Sequence, residues 1–306
     1  MKKRKVLSPV KRALEQAICD QTLSYASAAS VKSKFLKFQE HLEEKGHSGN
    51  LNDITKEDVL DYARTLECYS TSYKHGLLSA VNVVLNHVTY GAWDSVTGVR
   101  DCGFEKRKFV RTEKPLETYD TDIESLFHSL NDERYQRATI VAQACLLFGL
   151  RLKEAATLDY QQSLKDLTDN KPFQVKFGTK GGRPRTIKVE PDQLVIDTLI
   201  RGAEIQADHY SIIPEDQTWI QFCRTEIYRY REHLKKIGIK SYKDLRAIYA
   251  CRKYYLETDS APPIYGGRAK KSIDLSARKK IAADLGHNRA SISNSYIGKS
   301  KNEKNS

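Results

Sequence analysis

Only one stretch of this 306-residue chain alternates apolar and polar residues with a period of two: FQVKF (Phe173 to Phe177) and RTIKV (Arg185 to Val189), on either side of GTKGGRP. That alternation marks strands with one buried face, and the glycine-rich tip between them marks a hairpin. Elsewhere the apolar residues recur at helical spacing. The sequence therefore predicts a mainly α fold with a single small antiparallel β-sheet.

Val31, Phe35, Phe38 and Leu42 predict a helix across Tyr25 to His47, with Gly46 as its stop. TKED at Thr55 places an acidic residue three positions after a candidate cap, opening a second helix whose buried side is Val59, Leu60, Tyr62, Ala63 and Leu66. A third runs from Ser70 to Val88 on Leu77, Leu78, Val81, Val84 and Leu85. Between Tyr90 and Pro115 the pattern dissolves into glycines, polar residues and the basic run EKRKFVRTEKP. A domain boundary belongs there, with 1–112 as a helical first domain ending in a basic linker and 113–306 as the second; the length suits two cores. Helical periodicity resumes near Thr121 and runs through IVAQACLLF to Gly149, and a new helix starts at LRLKEAATL. Past the hairpin the chain is again mostly helical.

Lys and Arg number 51 against 39 Asp and Glu, a formal net charge of +12, which favours a polyanionic partner. Nucleic acid comes first and an anionic membrane surface second. The basic start MKKRKVLSPVKR is not followed by a signal-peptide core, and no run of about 18 apolar residues occurs, so a cytoplasmic protein is expected. Six scattered cysteines form no CxxC pair, which suggests reduced thiols and neither a zinc site nor a disulfide framework.

Cations sit where a helix does not favour them. Helix N-termini carry partial positive charge, so Arg or Lys in a first turn is mildly unfavourable unless an anion is present. Gly149 ends one helix and leaves Arg151 at the opening of the next; Ser241, with Asp244 three residues on, caps a helix whose first turns hold Lys243 and Arg246 on one face. A bound phosphate makes both arrangements favourable; the ordinary alternative pairs Arg151 with Glu154 and leaves Lys243 in solvent. Lys180 is either a soluble turn residue or, beside Gly181 and Gly182, a cation brought close to a ligand. In LGHNRASISNSY, Ile281 and Leu285 form a buried face, Gly286 breaks the helix, His287 emerges, and Ser291 caps a short helix carrying Ile292 and Tyr296. His287 and Tyr296 then face a common site, although Tyr296 is one of 17 tyrosines.

Taken in order, GLRLKEAATL, the lysine in the hairpin turn, DLRAIYA, LGHNR and a tyrosine nine residues after that histidine resemble the tyrosine recombinase or phage integrase family. The segment APPIYGG and the closing SYIG are similar to integrases of mobile elements such as integrative conjugative elements. The resemblance implies a SAM-like helical core-binding domain followed by a mostly helical catalytic domain. It implies a site-specific recombinase that cuts and rejoins DNA through a 3′-phosphotyrosine, with no ATP, metal or cofactor, integrating or excising a mobile element. By the same resemblance Arg151 and Arg246 grip the scissile phosphate, Lys180 protonates the departing 5′ oxygen, His287 takes the second-histidine position and Tyr296 is the nucleophile. Lys243 stands where many relatives have histidine, and residues 255–280 read as an insertion. Lys106, Arg107, Lys108 and Arg111 of the linker and Arg183 and Arg185 of the hairpin are the candidate DNA-backbone contacts. The implied partners are double-stranded DNA recombination sites, a homo-tetramer in the synaptic complex formed from monomers in free solution, and accessory DNA-bending or directionality factors; no membrane is involved, and the cytoplasmic protein joins the nucleoid when bound to DNA. Two rival readings are a type IB topoisomerase-like relaxer and a DNA-binding regulator that keeps the fold without catalysis.

Overall fold

The computed structural model describes residues 3–118 and 123–300, with the side chains of 3–8 and of Lys180 outside the description. It divides into two compact units, 1–108 and 109–306. The division falls ahead of the expected boundary at 112, and Arg111 gives the reason. Its backbone N–H donates to the Asn294 carbonyl at 2.8 Å, and its guanidinium pairs with Asp244, so this part of the linker is already bound into the second unit.

The first unit is helical: α1 (Lys3–Cys19), α2 (Tyr25–Glu44), α3 (Lys56–Arg64) and α4 (Thr71–Val88). Its core gathers Phe35, Phe38, Val59, Tyr62, Leu77, Val81 and Leu85. The Thr55 capping box is present as the sequence suggests, with the Thr55 N–H 2.7 Å from an Asp58 oxygen and the Asp58 N–H returned to the threonine hydroxyl; such a cap contributes about 1 kcal/mol. α1 is not anticipated by the sequence reading, because Pro9 falls inside it and basic residues crowd its start. Val10, Leu14 and Ala17 nevertheless share one buried face, packed on α2 and α4.

The second unit contains α5 (Ile123–Ser129), α6 (Gln136–Phe148), α7 (Leu152–Ala156), α8 (Tyr160–Thr168), strands β1 (Phe173–Val175) and β2 (Arg185–Ile187), then α9 (Gln193–Gln206), α10 (Trp219–Phe222), α11 (Tyr228–Lys236), α12 (Tyr242–Thr258), α13 (Lys271–Asp284) and α14 (Asn294–Ile297). The continuous helix expected from Thr121 to Gly149 is broken. Thr121 itself lies outside the described residues; beyond Ser129 the chain turns at Asp132, whose carboxylate accepts the Arg134 N–H at 3.1 Å and starts a new helical run. α6 is buried nearly all round, from Ile140 and Val141 to Cys145 and Phe148, and packs on α12, α9 and α7.

The strands pair antiparallel in the register Phe173↔Ile187 and Val175↔Arg185. Each is shorter than its alternating pattern, since only Phe173, Val175 and Ile187 find a core to cover, with Phe173 edge-on to Phe148 at 5.3 Å. The hairpin then crosses α7 closely. A Cβ on Gly178 would come within 2.8 Å of the Lys153 carbonyl and the Glu154 nitrogen, so the crossing requires glycine there, and its φ of +72° is one that glycine accepts readily.

The stretch read as an insertion is ordinary structure: the end of α12, a tight turn and most of α13. In the turn, a Cβ on Gly267 would overlap the Ala261 carbonyl, which accounts for one glycine of APPIYGG. α12, α13 and α14 share a core of Ala247, Cys251, Tyr254, Ala277, Ile281, Leu285, Tyr296 and Ile297. Among the described residues no helix is long and apolar enough to cross a membrane.

Candidate active site

Three chain breaks aim polar groups at one place. At the first, Gly149 closes α6 in the left-handed region (φ +60°, ψ +28°), turning the chain so that Arg151 precedes α7. A Cβ there would come within 2.5 Å of the Tyr249 ring, so the turn is pressed against α12. The second is the start of α12, which carries Arg246 inward. At the third, α13 ends at Leu285, Gly286 takes φ +66°, and His287 leaves the helix while its N–H still bonds the Ala282 carbonyl. Ser291 does not cap the last short helix as the sequence suggests. It lies inside a 3-10 turn, Ala290–Ser293, that leads directly into α14 and Tyr296.

Arg246 is the hub, 2 % exposed. Its Nη1 donates to the Gly149 carbonyl, its Nη2 to the Leu285 carbonyl at 2.6 Å and its Nε to the Tyr296 hydroxyl at 3.1 Å. Both helix ends thus present a freed carbonyl to the same guanidinium. Burial pulls the Arg246 pKa below its ordinary value, with the Arg151 charge acting the same way and Tyr296 opposing, yet a guanidinium stays charged.

Beneath it lies Glu154, fully buried, which faces three arginines. It meets Arg151 Nη1 at 2.5 Å, Arg185 Nη1 at 2.7 Å and Arg246 Nη1 at 3.7 Å. Burial alone would raise its pKa. The hydrogen bond and charge of Arg185, followed by the Arg151 N–H and charge, outweigh burial and hold it below the ordinary carboxylate value. Three guanidinium groups on one carboxylate leave an excess of positive charge, the condition under which an anion is bound.

His287 Nε2 stands 3.4 Å from Arg151 Nη2 and 3.4 Å from the Tyr296 hydroxyl. A guanidinium only donates, so Nε2 faces it as an acceptor and the ring proton belongs on Nδ1. The same logic orients the phenol. Its oxygen accepts from Arg246, which leaves its own proton to share with Arg151 Nη2 the single lone pair of His287 Nε2. The donors gathered here are guanidinium, imidazole and phenol, a set suited to an oxyanion.

The structure thus brings together Arg151, Arg246, His287 and Tyr296. It does not bring Lys243 to them: that side chain is exposed on the first turn of α12, with no hydrogen bond or ion pair among the described residues. Arg246, three residues further on and one turn deeper, is buried, so the shared face expected for the pair runs from solvent at Lys243 into the core at Arg246. Lys180 opens the tight turn at the hairpin tip, but its side chain lies outside the described residues. Of the expected DNA contacts, Lys106, Arg107, Lys108 and Arg183 are exposed. Arg111 and Arg185 are both committed inward, Arg111 to Asp244 and Arg185 to Glu154 and the Asp284 carbonyl at 3.1 Å. Glu154 itself escapes the sequence reading except as a local partner of Arg151; its signal was the spacing RLKE, which reads equally as a surface pair.

Residues 108–252 match a family model described as Integrase. The matched segment holds Arg151, Lys180, Lys243 and Arg246 and ends before His287 and Tyr296. No curated protein matches the chain.

Proposed function

We propose that this chain, whose segment 108–252 carries the integrase family match, is a site-specific DNA recombinase in which Tyr296 cuts a strand and remains joined to its 3′ phosphate. One observation carries this reading: the hydroxyl of Tyr296 lies between Arg246 and His287, with Arg151 on the far side of the histidine.

Arg151 is the cation that meets the phosphate first, because a quarter of its side chain is exposed while Arg246 is nearly enclosed. Both supply forked donors for the non-bridging oxygens, where charge grows as the phosphorus is attacked. His287 takes the phenol proton through Nε2. Arg246 Nε holds the phenolate oxygen as its negative charge forms, and the oxygen attacks phosphorus in line, expelling the 5′ oxygen of the next nucleotide. Lys180, at the tip of the loop that crosses α7, supplies the proton that this oxygen takes up. The phosphotyrosine keeps the energy of the broken ester, so a 5′-hydroxyl from a partner duplex can reverse the step without ATP. Double-stranded DNA is the partner the family implies. The integration or excision of a mobile element, carried out by four protomers on two sites with the helical first unit gripping DNA, completes the reading.

The test is a nicked duplex whose cleaved end diffuses away, so that a covalent protein–DNA adduct accumulates. The wild-type chain is expected to form it, with the DNA on Tyr296 in a peptide map, and Tyr296→Phe to form none while binding DNA as before. An adduct on the phenylalanine variant refutes the assignment. Absence of any adduct from the wild-type chain would leave the regulator reading in its place.

A further inference from the structure

Another buried arginine stands behind the tyrosine, on α13. Arg278 is 6 % exposed. Its Nε donates to Asp274 at 2.8 Å. Nη1 reaches the Ser293 hydroxyl at 3.1 Å, the Asn294 side-chain oxygen at 2.8 Å and the Gly298 carbonyl at 3.3 Å, and Nη2 reaches the Ser300 hydroxyl at 2.8 Å. These acceptors flank Tyr296: Ser293 and Asn294 open its short helix, and Gly298 and Ser300 follow it.

Asp274 completes the arrangement. It accepts from the Tyr254 hydroxyl of α12 at 2.7 Å and from the Ser300 hydroxyl at 3.0 Å, so α12, α13 and the chain beyond α14 meet at one polar node. A helix of four residues, such as α14, is too short to be stable alone, and its apolar anchor is Ile297, fully buried next to the tyrosine. Besides Ile297, the Asn294 carbonyl is held by the Arg111 N–H at 2.8 Å and the Tyr296 hydroxyl by Arg246 at 3.1 Å. Arg278 adds a grip on both ends of the segment, ahead of the tyrosine and after it.

We propose that Arg278 is a positioning residue for strand cleavage, clasping the chain on both sides of Tyr296 so that the phenol stays aligned with the Arg151–Arg246 phosphate site. This rests on Tyr296 being the nucleophile. Arg278 has no hydrogen bond or ion pair to Arg151, Arg246 or His287 among the described residues, and it lies beyond the family match. Its effect runs through the residues it holds on either side of Tyr296.

The test uses the full chain and a nicked duplex on which the wild-type protein forms its adduct, at a temperature where circular dichroism shows each variant folded. Arg278→Ala is expected to slow single-turnover adduct formation by about 10²-fold, the cost of displacing a reacting group by about an ångström. DNA affinity should stay within about twofold of wild type, since no phosphate contact is removed. Arg278→Lys, which keeps the charge and loses the fork, should recover only part of the rate. Cleavage at the wild-type rate by folded Arg278→Ala overturns the proposal and leaves the nucleophile assignment standing; an adduct on Tyr296→Phe overturns that assignment instead. Loss of DNA binding in step with cleavage also overturns the proposal, because a general disturbance would produce it. Should Arg278→Ala not fold, the double variant Ser293→Ala, Asn294→Ala removes only the acceptors ahead of the tyrosine. It is expected to slow the adduct by about tenfold, and an unchanged rate decides against the clasp.

Discussion

The two buried arginine nodes of the second unit are built from the same groups and differ in charge balance. Around Glu154, three guanidinium groups share one carboxylate. Around Asp274, a single guanidinium meets a single carboxylate, and its remaining donors are taken by hydroxyls, an amide and a carbonyl. The second node is neutral and its partners are all supplied by the protein, so it has no use for a ligand. The first carries uncompensated positive charge beside a phenol and an imidazole. Burial and ion pairing are common to both; only the imbalance marks a place where an anion belongs.

Removing each carboxylate breaks the comparison most forcefully. Glu154→Ala leaves the buried Arg246 and the partly buried Arg151 and Arg185 without their shared counter-charge and is expected to cost about 3–5 kcal/mol in denaturant unfolding. Asp274→Ala strips one partner from a better hydrated node and should cost less, about 1–3 kcal/mol. Equal losses would mean that charge balance does not separate the nodes.

Acid sharpens the comparison on a smaller scale. Burial works against both carboxylates, but arginine contacts outweigh it, and both pKa values are lowered in the folded chain. The unfolded chain therefore binds more protons. The stability each contributes is full above the ordinary carboxylate range and fades as pH falls through the folded pKa. Urea midpoints followed downward from about pH 5 should drop, and Glu154→Gln should flatten that slope more than Asp274→Asn, since more guanidinium groups depend on it. A slope unaffected by Glu154→Gln would count against its role as shared counter-ion.

The smallest expected effect concerns a simple anion. Sulfate at about ten times its Kd should stabilise the protein by about 1.4 kcal/mol if it binds the folded state alone. That gain should vanish in Arg151→Ala and persist in Arg278→Ala. Persistence in both would place the anion elsewhere.

Local signals were legible where a few neighbouring residues settle the outcome. The Thr55 capping box and the hairpin are both where the sequence puts them. Gly149 and Gly286 likewise end their helices in the left-handed conformation. α1 and the break at Asp132 were not legible. The first depends on a core that accepts Val10 and Leu14 in spite of Pro9, and the second on a carboxylate that bonds a backbone two residues on. The same divide runs through the site. Arg151, Arg246, His287 and Tyr296 are recognisable by their order and neighbours. Arg185 and Arg111 look like any exposed cations of a basic protein until the fold turns them inward.

By itself, the sequence determined which chemistry is on hand: forked cations at the openings of two helices, a histidine and a tyrosine after a helix-ending glycine, and a lysine-tipped hairpin. Tertiary structure alone decided which cations remain available to an anion. Whether a charge is spent on a carboxylate or kept for a ligand depends on distances between groups more than a hundred residues apart, such as Arg151 and the Leu285 carbonyl, and on the water excluded from between them. Helical spacing and turn chemistry reach only a few residues along the chain, so neither can report that balance.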